Sequence, residues 1–281
     1  MKIIIRNAEQ DTDVNKAENI FIAFDENNEY LGYGYVYPSF NYDISYKHPH
    51  NIYIDINVES NIQCCNSVMD ALFERIMKRA HEIRDEHNDI NARIYGGCFA
   101  SDTEKIQYYI SKRLADDEGT HLYEKYIAKQ GVINKEVDGI EITEYKIEQE
   151  HEKLDFIQVY NSINNKKIDS ASLEEMMSEK LWNNFSVFLE GKMVGNIMVY
   201  ERVNKDNEVV GYIENIFVDK ECRNKGIAKQ LLNKAFKYFI DNGIEICELE
   251  VWSVNERAVN LYKSMGFEFI RETEIYPGIN L

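Results

Sequence analysis

A chain of 281 residues with 44% apolar composition is long enough for one large folded domain or two of ordinary size. Its 49 acidic residues against 32 basic ones, a net charge of −17, exclude nucleic acid or an anionic membrane as a partner over most of the exterior. No stretch approaches the ~20 apolar residues that span a bilayer, and the start MKIIIRNAEQD reaches acid too soon for a signal peptide, so a cytoplasmic protein is expected.

In chain order, NNEYLGYGYVY (27–37) reads as two strands joined by a tight turn. DINVESNIQCCNSVMDALFERI (55–76) reads as a short apolar strand, a polar turn and an amphipathic helix, and SDTEKIQYYISK (101–112) as a further helix. The first part ends near Gly131 to Asp138. GIEITEYKI (139–147) then opens as a strand, and 148–163 and ASLEEMMSEKLWNNF (171–185) read as helices. SVFLEG and MVGNIMVYERV form an antiparallel pair, GYIENIFV a strand, GIAKQLLNKAFKYFIDNG a helix, ICELEVWS a strand, NERAVNLYKSMG a helix and FEFIRETEIY a last strand.

A repeat organises these elements. DINVESNIQCCNSVMDALFERI aligns with NIFVDKECRNKGIAKQLLNKAF (215–236) at an offset of 160 residues; upstream Gly32 falls opposite Gly195, and downstream Tyr108 falls opposite Tyr262. The chain thus divides into two α/β copies, 1–138 and 139–281, each a mixed sheet flanked by helices. None of the five cysteines forms a CxxC pair, and no histidine and carboxylate set has ligand spacing, so neither a disulfide framework nor a metal site is expected.

The turn CRNKGIAKQLL carries the chemistry. A phosphate site needs backbone N–H groups converging at a helix N-terminus, with no side chain in the anion's path. Gly226 removes a Cβ and Ala228 keeps the first turn open. Lys220, Arg223, Lys225, Lys229 and Lys234 stand against only Asp219 and Glu221. The same residues also suit a glycine-relieved turn before a solvated helix face. Neither a Walker A loop nor a G-x-G-x-x-G fingerprint is present.

IENIFVDKECRNKGIAKQLL and LEVWSVNERAVNLYKSMGF together resemble the GCN5-related N-acetyltransferase (GNAT) family. Its pyrophosphate loop, R/Q-x-x-G-x-G/A, is matched by Arg223, Asn224, Lys225, Gly226, Ile227 and Ala228. Its N-x-x-A-x-x-x-Y-x-x-x-G-F segment is matched by Asn255, Ala258, Tyr262, Gly266 and Phe267. The resemblance covers about residues 140–281 and implies two tandem GNAT-like domains, each with a splayed parallel strand pair, the C-terminal one catalytic. It implies acetyl-CoA as cosubstrate, with the Phe217 and Val218 backbone beside pantetheine and the N–H groups from Arg223 to Lys229 at the pyrophosphate. Tyr262 is the implied general acid and Glu214 a candidate base, Glu250 a weaker one. Asn255 faces the cofactor, caps its helix, or does both.

The first copy resembles a degenerate version, since Gln63, Asn66 and Val68 replace Arg223, Gly226 and Ala228. Two-domain mycothiol synthases share such an architecture. The family core closes with a seventh strand after a hairpin, yet only PGINL follows FEFIRETEIY. A very short strand, the other copy or a partner subunit in a homo-oligomer would have to complete the sheet. The reaction implied is transfer of acetyl to a small-molecule amine or the exposed amino group of a peptide, by direct attack in a ternary complex; a non-catalytic CoA-binding module is the alternative. The acidic chain favours cationic acceptors.

Overall fold

The computed structural model describes residues 2–12, 14–44, 47–59, 65–128, 141–163 and 167–281. The chain opens with an antiparallel series, β1 (Ile4–Asn7), β2 (Ile20–Phe24), β3 (Tyr30–Phe40) and β4 (His50–Val58). Helix α1 (Cys65–Asp85) follows, and Val68, Leu72, Ile76, Ala80 and Ile83 recur every three or four residues to give it one buried face. Next come β5 (Ala92–Gly96), the two-residue β6 (Cys98–Phe99), α2 (Thr103–Ser111) and β7 (Gly119–Tyr126). Asp102 caps α2 by accepting the Lys105 N–H.

Beyond Ala128 the described chain resumes with β8 (Ile142–Glu144), α3 (Glu150–Ile163) and α4 (Ser170–Met177). It continues through β9 (Asn183–Leu189), β10 (Lys192–Val203) and β11 (Val209–Val218). The last elements are α5 (Ile227–Asp241), β12 (Ile246–Trp252), α6 (Glu256–Ser264), β13 (Glu268–Ile275) and β14 (Gly278–Asn280). The expected boundary at 138/139 lies outside the described residues.

One expected helix is shorter than its apolar spacing indicates. The segment 171–185 is helical only to Met177; Leu181 has φ 55°, which a right-handed helix cannot incorporate, and Asn183 begins β9. Phe185 and Val187 then alternate into the core as a strand requires.

Two sheets result. The first has the order β1-β2-β3-β4-β5-β14 and the second β6-β13-β7-β12-β11-β10-β9-β8. Each contains a parallel pair, β4 with β5 and β11 with β12. The fold is therefore α/β, with two mixed and mostly antiparallel sheets flanked by helices.

The compact units do not follow the linear halves of the sequence. One comprises residues 1–120, 252–256 and 272–281; the other comprises 121–251 and 257–271. The strand wanted after β13 is β7, whose Tyr123 joins the core of the second unit. The very short β14 instead pairs antiparallel with β5, Ile279 opposite Ile94 and Asn280 opposite Arg93. Arg93, fully buried, fastens it: its guanidinium donates to Asn280 Oδ1 at 2.9 Å and to the Tyr276 carbonyl at 3.1 Å, and pairs with Asp117.

In the second unit apolar residues cover both faces of β10 and β11. On one face α5 contributes Ile227, Leu231, Leu232, Ala235, Phe236 and Phe239; on the other α3 and α4 contribute Phe156, Tyr160 and Leu173. Gly211, in the parallel pair, lies under Phe239, and a Cβ there would stand 2.6 Å from the ring. Gly211→Ala is expected to destabilise the protein by about 1–3 kcal/mol through overpacking, read as a lower urea midpoint at unchanged m.

Candidate functional site

The parallel register of β11 and β12 covers only Gly211–Cys247, Tyr212–Glu248 and Ile213–Leu249. There the ladder stops, although β11 continues to Val218 and β12 to Trp252. The change coincides with a β-bulge: Val199 faces Ile213 and Met198 faces Asn215, so Glu214 is the extra residue. A bulge bends its strand and strengthens the twist. After it, β11 keeps its antiparallel bonds to β10, with Phe217 opposite Asn196 and Val218 opposite Gly195. Its other edge is left facing the gap.

The turn CRNKGIAKQLL begins where that strand ends. Asp219 N–H donates to the Val194 carbonyl at 2.8 Å, and the Asp219 carboxylate pairs with Lys192 at 2.8 Å and caps a short 3₁₀ turn at Lys220–Cys222. Lys192 and this cap hold the Asp219 carboxyl below the usual carboxylate range. Cys222 is buried in the core cluster, and Arg223 Nε donates to the Val218 carbonyl at 3.1 Å. Arg223 therefore braces the strand-to-turn corner.

Asn224 and Gly226 have φ of 62° and 82°. These left-handed residues turn the chain sharply into α5, and asparagine and glycine tolerate that region at least cost. The first bond of the α5 ladder is Gln230 N–H to the Gly226 carbonyl, at 3.1 Å. The N–H groups of Ile227, Ala228 and Lys229 thus precede the ladder and carry the positive end of the helix dipole. Lys225 and Lys229 are exposed beside them, Ala228 is half-buried, and Ile227 anchors the turn in the core. An anion meeting this corner finds backbone donors, added positive charge and no Cβ at Gly226.

Tyr262 on α6 is 6% exposed and belongs to the same core cluster as Ile213, Leu249 and Ile227. Phe267 packs against it edge-on at 5.8 Å. Burial, and then the neighbouring Cys247, push its phenol well above the ordinary tyrosine range, so it stays protonated. Asn255 immediately precedes α6, and its N–H donates to the Trp252 carbonyl at 2.9 Å.

Glu214, half-buried, accepts a hydrogen bond from the Tyr200 hydroxyl at 3.1 Å. Tyr160 on α3 also faces this charge: burial first and then Glu214 push its hydroxyl up to about 12. The carboxylate thus stands among phenols that remain neutral donors. Glu250 is engaged otherwise, 3.8 Å from Arg202, whose guanidinium also pairs with Glu248 at 2.6 Å and stacks on Tyr212 at 3.7 Å. Tyr200 and Tyr160 were not legible as partners of Glu214, because the bulge that turns Glu214 toward them is a property of strand pairing.

The first unit has the same parallel pair without the same site. β4 and β5 are paired from His50–Ala92 to Ile54–Gly96, and β3 with β4 runs in unbroken register from Gly32–Val58 to Phe40–His50, with no bulge. Asn66 and Val68 lie inside α1, and Gln63 is outside the described residues. The Tyr108 hydroxyl donates to Asp70 at 2.9 Å. Lys105 Nζ, from α2, binds Asp55 on β4 at 2.6 Å.

Residues 149–267 match the model of the acetyltransferase (GNAT) family. An uncharacterized N-acetyltransferase of Methanocaldococcus jannaschii is 40% identical over 75 residues, 27% of this chain and 32% of that protein. An N-alpha-acetyltransferase of Arabidopsis thaliana is 36% identical over 92 residues, 33% of this chain and 47% of that one. The matched region thus spans about a third to a half of these relatives. A GCN5-related N-acetyltransferase from Sphaerobacter thermophilus superposes with TM-score 0.51 at 16% identity, over 95% of this chain and 82% of that one. Another from Anabaena variabilis gives TM-score 0.55 at 10% identity, over 92% and 62%. At these identities the likeness is one of fold, and it extends across both sheets. Among the described residues, no helix is long and apolar enough to cross a membrane. Through residues 149–267 the chain is thus similar in sequence to the acetyltransferase (GNAT) family.

Proposed function

We propose that the protein is an N-acetyltransferase that moves an acetyl group from acetyl-CoA to a primary amine, and that the second unit performs the reaction in the cytoplasm. The observation that carries this reading is the gap beyond Ile213–Leu249, which opens beside the Gly226 turn and the N-terminus of α5. A thioester cosubstrate supplies the activated acyl group. The N–H groups of Ile227, Ala228 and Lys229 receive the pyrophosphate, with Lys225 and Lys229 adding charge and Asn224 and Gly226 shaping the turn. The open edge at Phe217 and Val218 meets the amides of pantetheine, and Asn255 lies at the start of α6.

The amine nitrogen forms a bond to the thioester carbonyl carbon, and the carbon–sulfur bond breaks. Glu214 takes the proton that the amine must lose, directly or through water, and Tyr200 holds the carboxylate in place. Tyr262 gives its proton to the leaving sulfur and regains one from the nitrogen, which loses its second proton as the amide forms. Its raised pKa suits an acid that must be protonated before the step and surrender the proton only when negative charge develops beside it. Net negative charge on the chain favours a cationic acceptor, which must shed a proton on the enzyme.

Addition of acetyl-CoA to the full chain is expected to raise Tm in a thermal-shift assay, and an amine panel with thiol detection should reveal turnover. A shift with CoA but no turnover with any amine would assign a binding module instead; no shift would remove both readings. Tyr262→Phe should lower kcat by about 10²–10⁴ with little change in acetyl-CoA affinity, whereas Tyr108→Phe should leave kcat unaltered. Because burial raises the Tyr262 pKa above its ordinary value of about 10, the acid form persists through pH 10, and no alkaline loss of kcat below that pH should trace to Tyr262.

Gly226→Ala should reduce stability by roughly 1–2 kcal/mol through its left-handed φ and weaken CoA binding more than binding of pantetheine alone. Equal weakening of the two would place the pyrophosphate elsewhere.

A further inference from the structure

The first unit holds a cleft of about 520 Å³, within the range that encloses a small organic ligand. It opens where the parallel pairing of β4 and β5 ends, and all of its lining belongs to that unit. We propose that this cleft binds an organic ammonium ion. The proposal goes beyond the acetyl-transfer reading of the second unit and stands without it.

Two independent features of the wall select a cation. The first is aromatic. Tyr53, Tyr95, Trp252 and Tyr276 line the cleft and pack on one another: Tyr95 lies 5.5 Å from Tyr53, 5.9 Å from Trp252 and 5.6 Å from Tyr276. Such a surface offers electron-rich rings and apolar area to a cation with an organic body. Burial pushes the Tyr95 phenol up to about 12 and raises those of Tyr53 and Tyr276 as well, so these rings carry no charge at neutral pH.

The second feature is charge. Asp55, Asp102 and Glu274 line the cleft with Lys105 as the one cation among the lining residues. Lys105 is already held by Asp55 at 2.6 Å, which leaves two carboxylates in excess. Asp102 accepts the Lys105 backbone N–H at the start of α2, and Glu274 accepts from the hydroxyls of Tyr276 and Thr120. These bonds fix the carboxylates without neutralising them. A phosphate-bearing ligand is disfavoured by the same charges, and the Lys105–Asp55 pair stands just past Ile54–Gly96, where the strands part.

Trp252 is in the wall, and the only other tryptophan is Trp182, so the full chain carrying Trp182→Phe reports on this cleft by fluorescence. Titration with choline is expected to change Trp252 emission saturably, with Kd at least about tenfold tighter than for its neutral isostere 3,3-dimethylbutan-1-ol. Spermidine should compete with choline, and Glu274→Gln should weaken choline binding about fivefold or more at unchanged Tm. Equal binding of choline and the isostere would overturn the proposal, as would no saturable response to choline or spermidine, or displacement of choline by free phosphate. Where Glu274→Gln lowers Tm, the comparison of choline with its isostere on the unaltered cleft decides; where Trp182→Phe does so, the same comparison is made on the wild-type chain above a constant Trp182 background.

Discussion

The candidate site depends on one failure of strand pairing. Two parallel strands that begin in register at Gly211–Cys247 cannot remain so once Glu214 is inserted as an extra residue opposite β10, because the bulge re-aims β11 while β12 continues. A strand inside a sheet has its polar backbone groups committed on both edges. After the bulge, β11 retains one committed edge, and the other is available at Phe217 and Val218. The bulge also reverses the alternation of side chains, which is how a charged Glu214 emerges from an otherwise apolar strand beside Tyr200 and Tyr160. The turn into α5 follows at once, so the helix N-terminus is held within a few residues of that free edge.

The two units share what maintains the fold and differ at the strand gap. Both keep a parallel pair covered by a long helix, and both pack that helix through apolar residues spaced along one face. The first unit lacks the bulge, places Asn66 within α1 and ties Tyr108 to Asp70. These changes leave the hydrophobic core intact, because none removes a buried apolar side chain. A shared architecture is thus compatible with different ligands, and function must be read from the particular residues at the strand gap. The Lys105–Asp55 pair illustrates the point: it joins α2 to β4 with opposite charges where the second unit leaves its ladder open.

Much of this was legible in the chain. The offset of 160 residues exposed the duplicated strand-turn-helix, and the glycine of CRNKGIAKQLL marked the turn because a left-handed residue needs it. Local pattern conveyed less where conformation depended on distant pairing. Leu181 continues the apolar spacing of α4, yet it sits at a left-handed φ because β9 must start two residues later. Glu214 was visible as an acidic residue in an apolar strand, but the hydrogen bond from Tyr200 requires the register of β10 against β11. The Arg223 Nε bond to the Val218 carbonyl likewise depends on how the strand meets the turn, which local pattern does not convey.

The placement of β7 and β14 is the clearest case of information absent from local pattern. Residues 119–126, GTHLYEKY, show no clean alternation, and even alternation names a face and not a neighbour. Their neighbours β12 and β13 lie more than a hundred residues ahead, and β14 reaches back over a similar separation to β5. A cut at 138/139 would therefore deprive both sheets of strands: β5 would lose Gly278–Asn280 and expose the buried guanidinium of Arg93, and the second sheet would lose β6 and, beside β12, β7 along with the packing of Tyr123 and Ile127. Pairing of such high sequence separation carries its loop-closure entropy before its contacts form, which makes it a late event in folding. Neither linear half of the duplicated sequence contains all the strands of the sheet it builds.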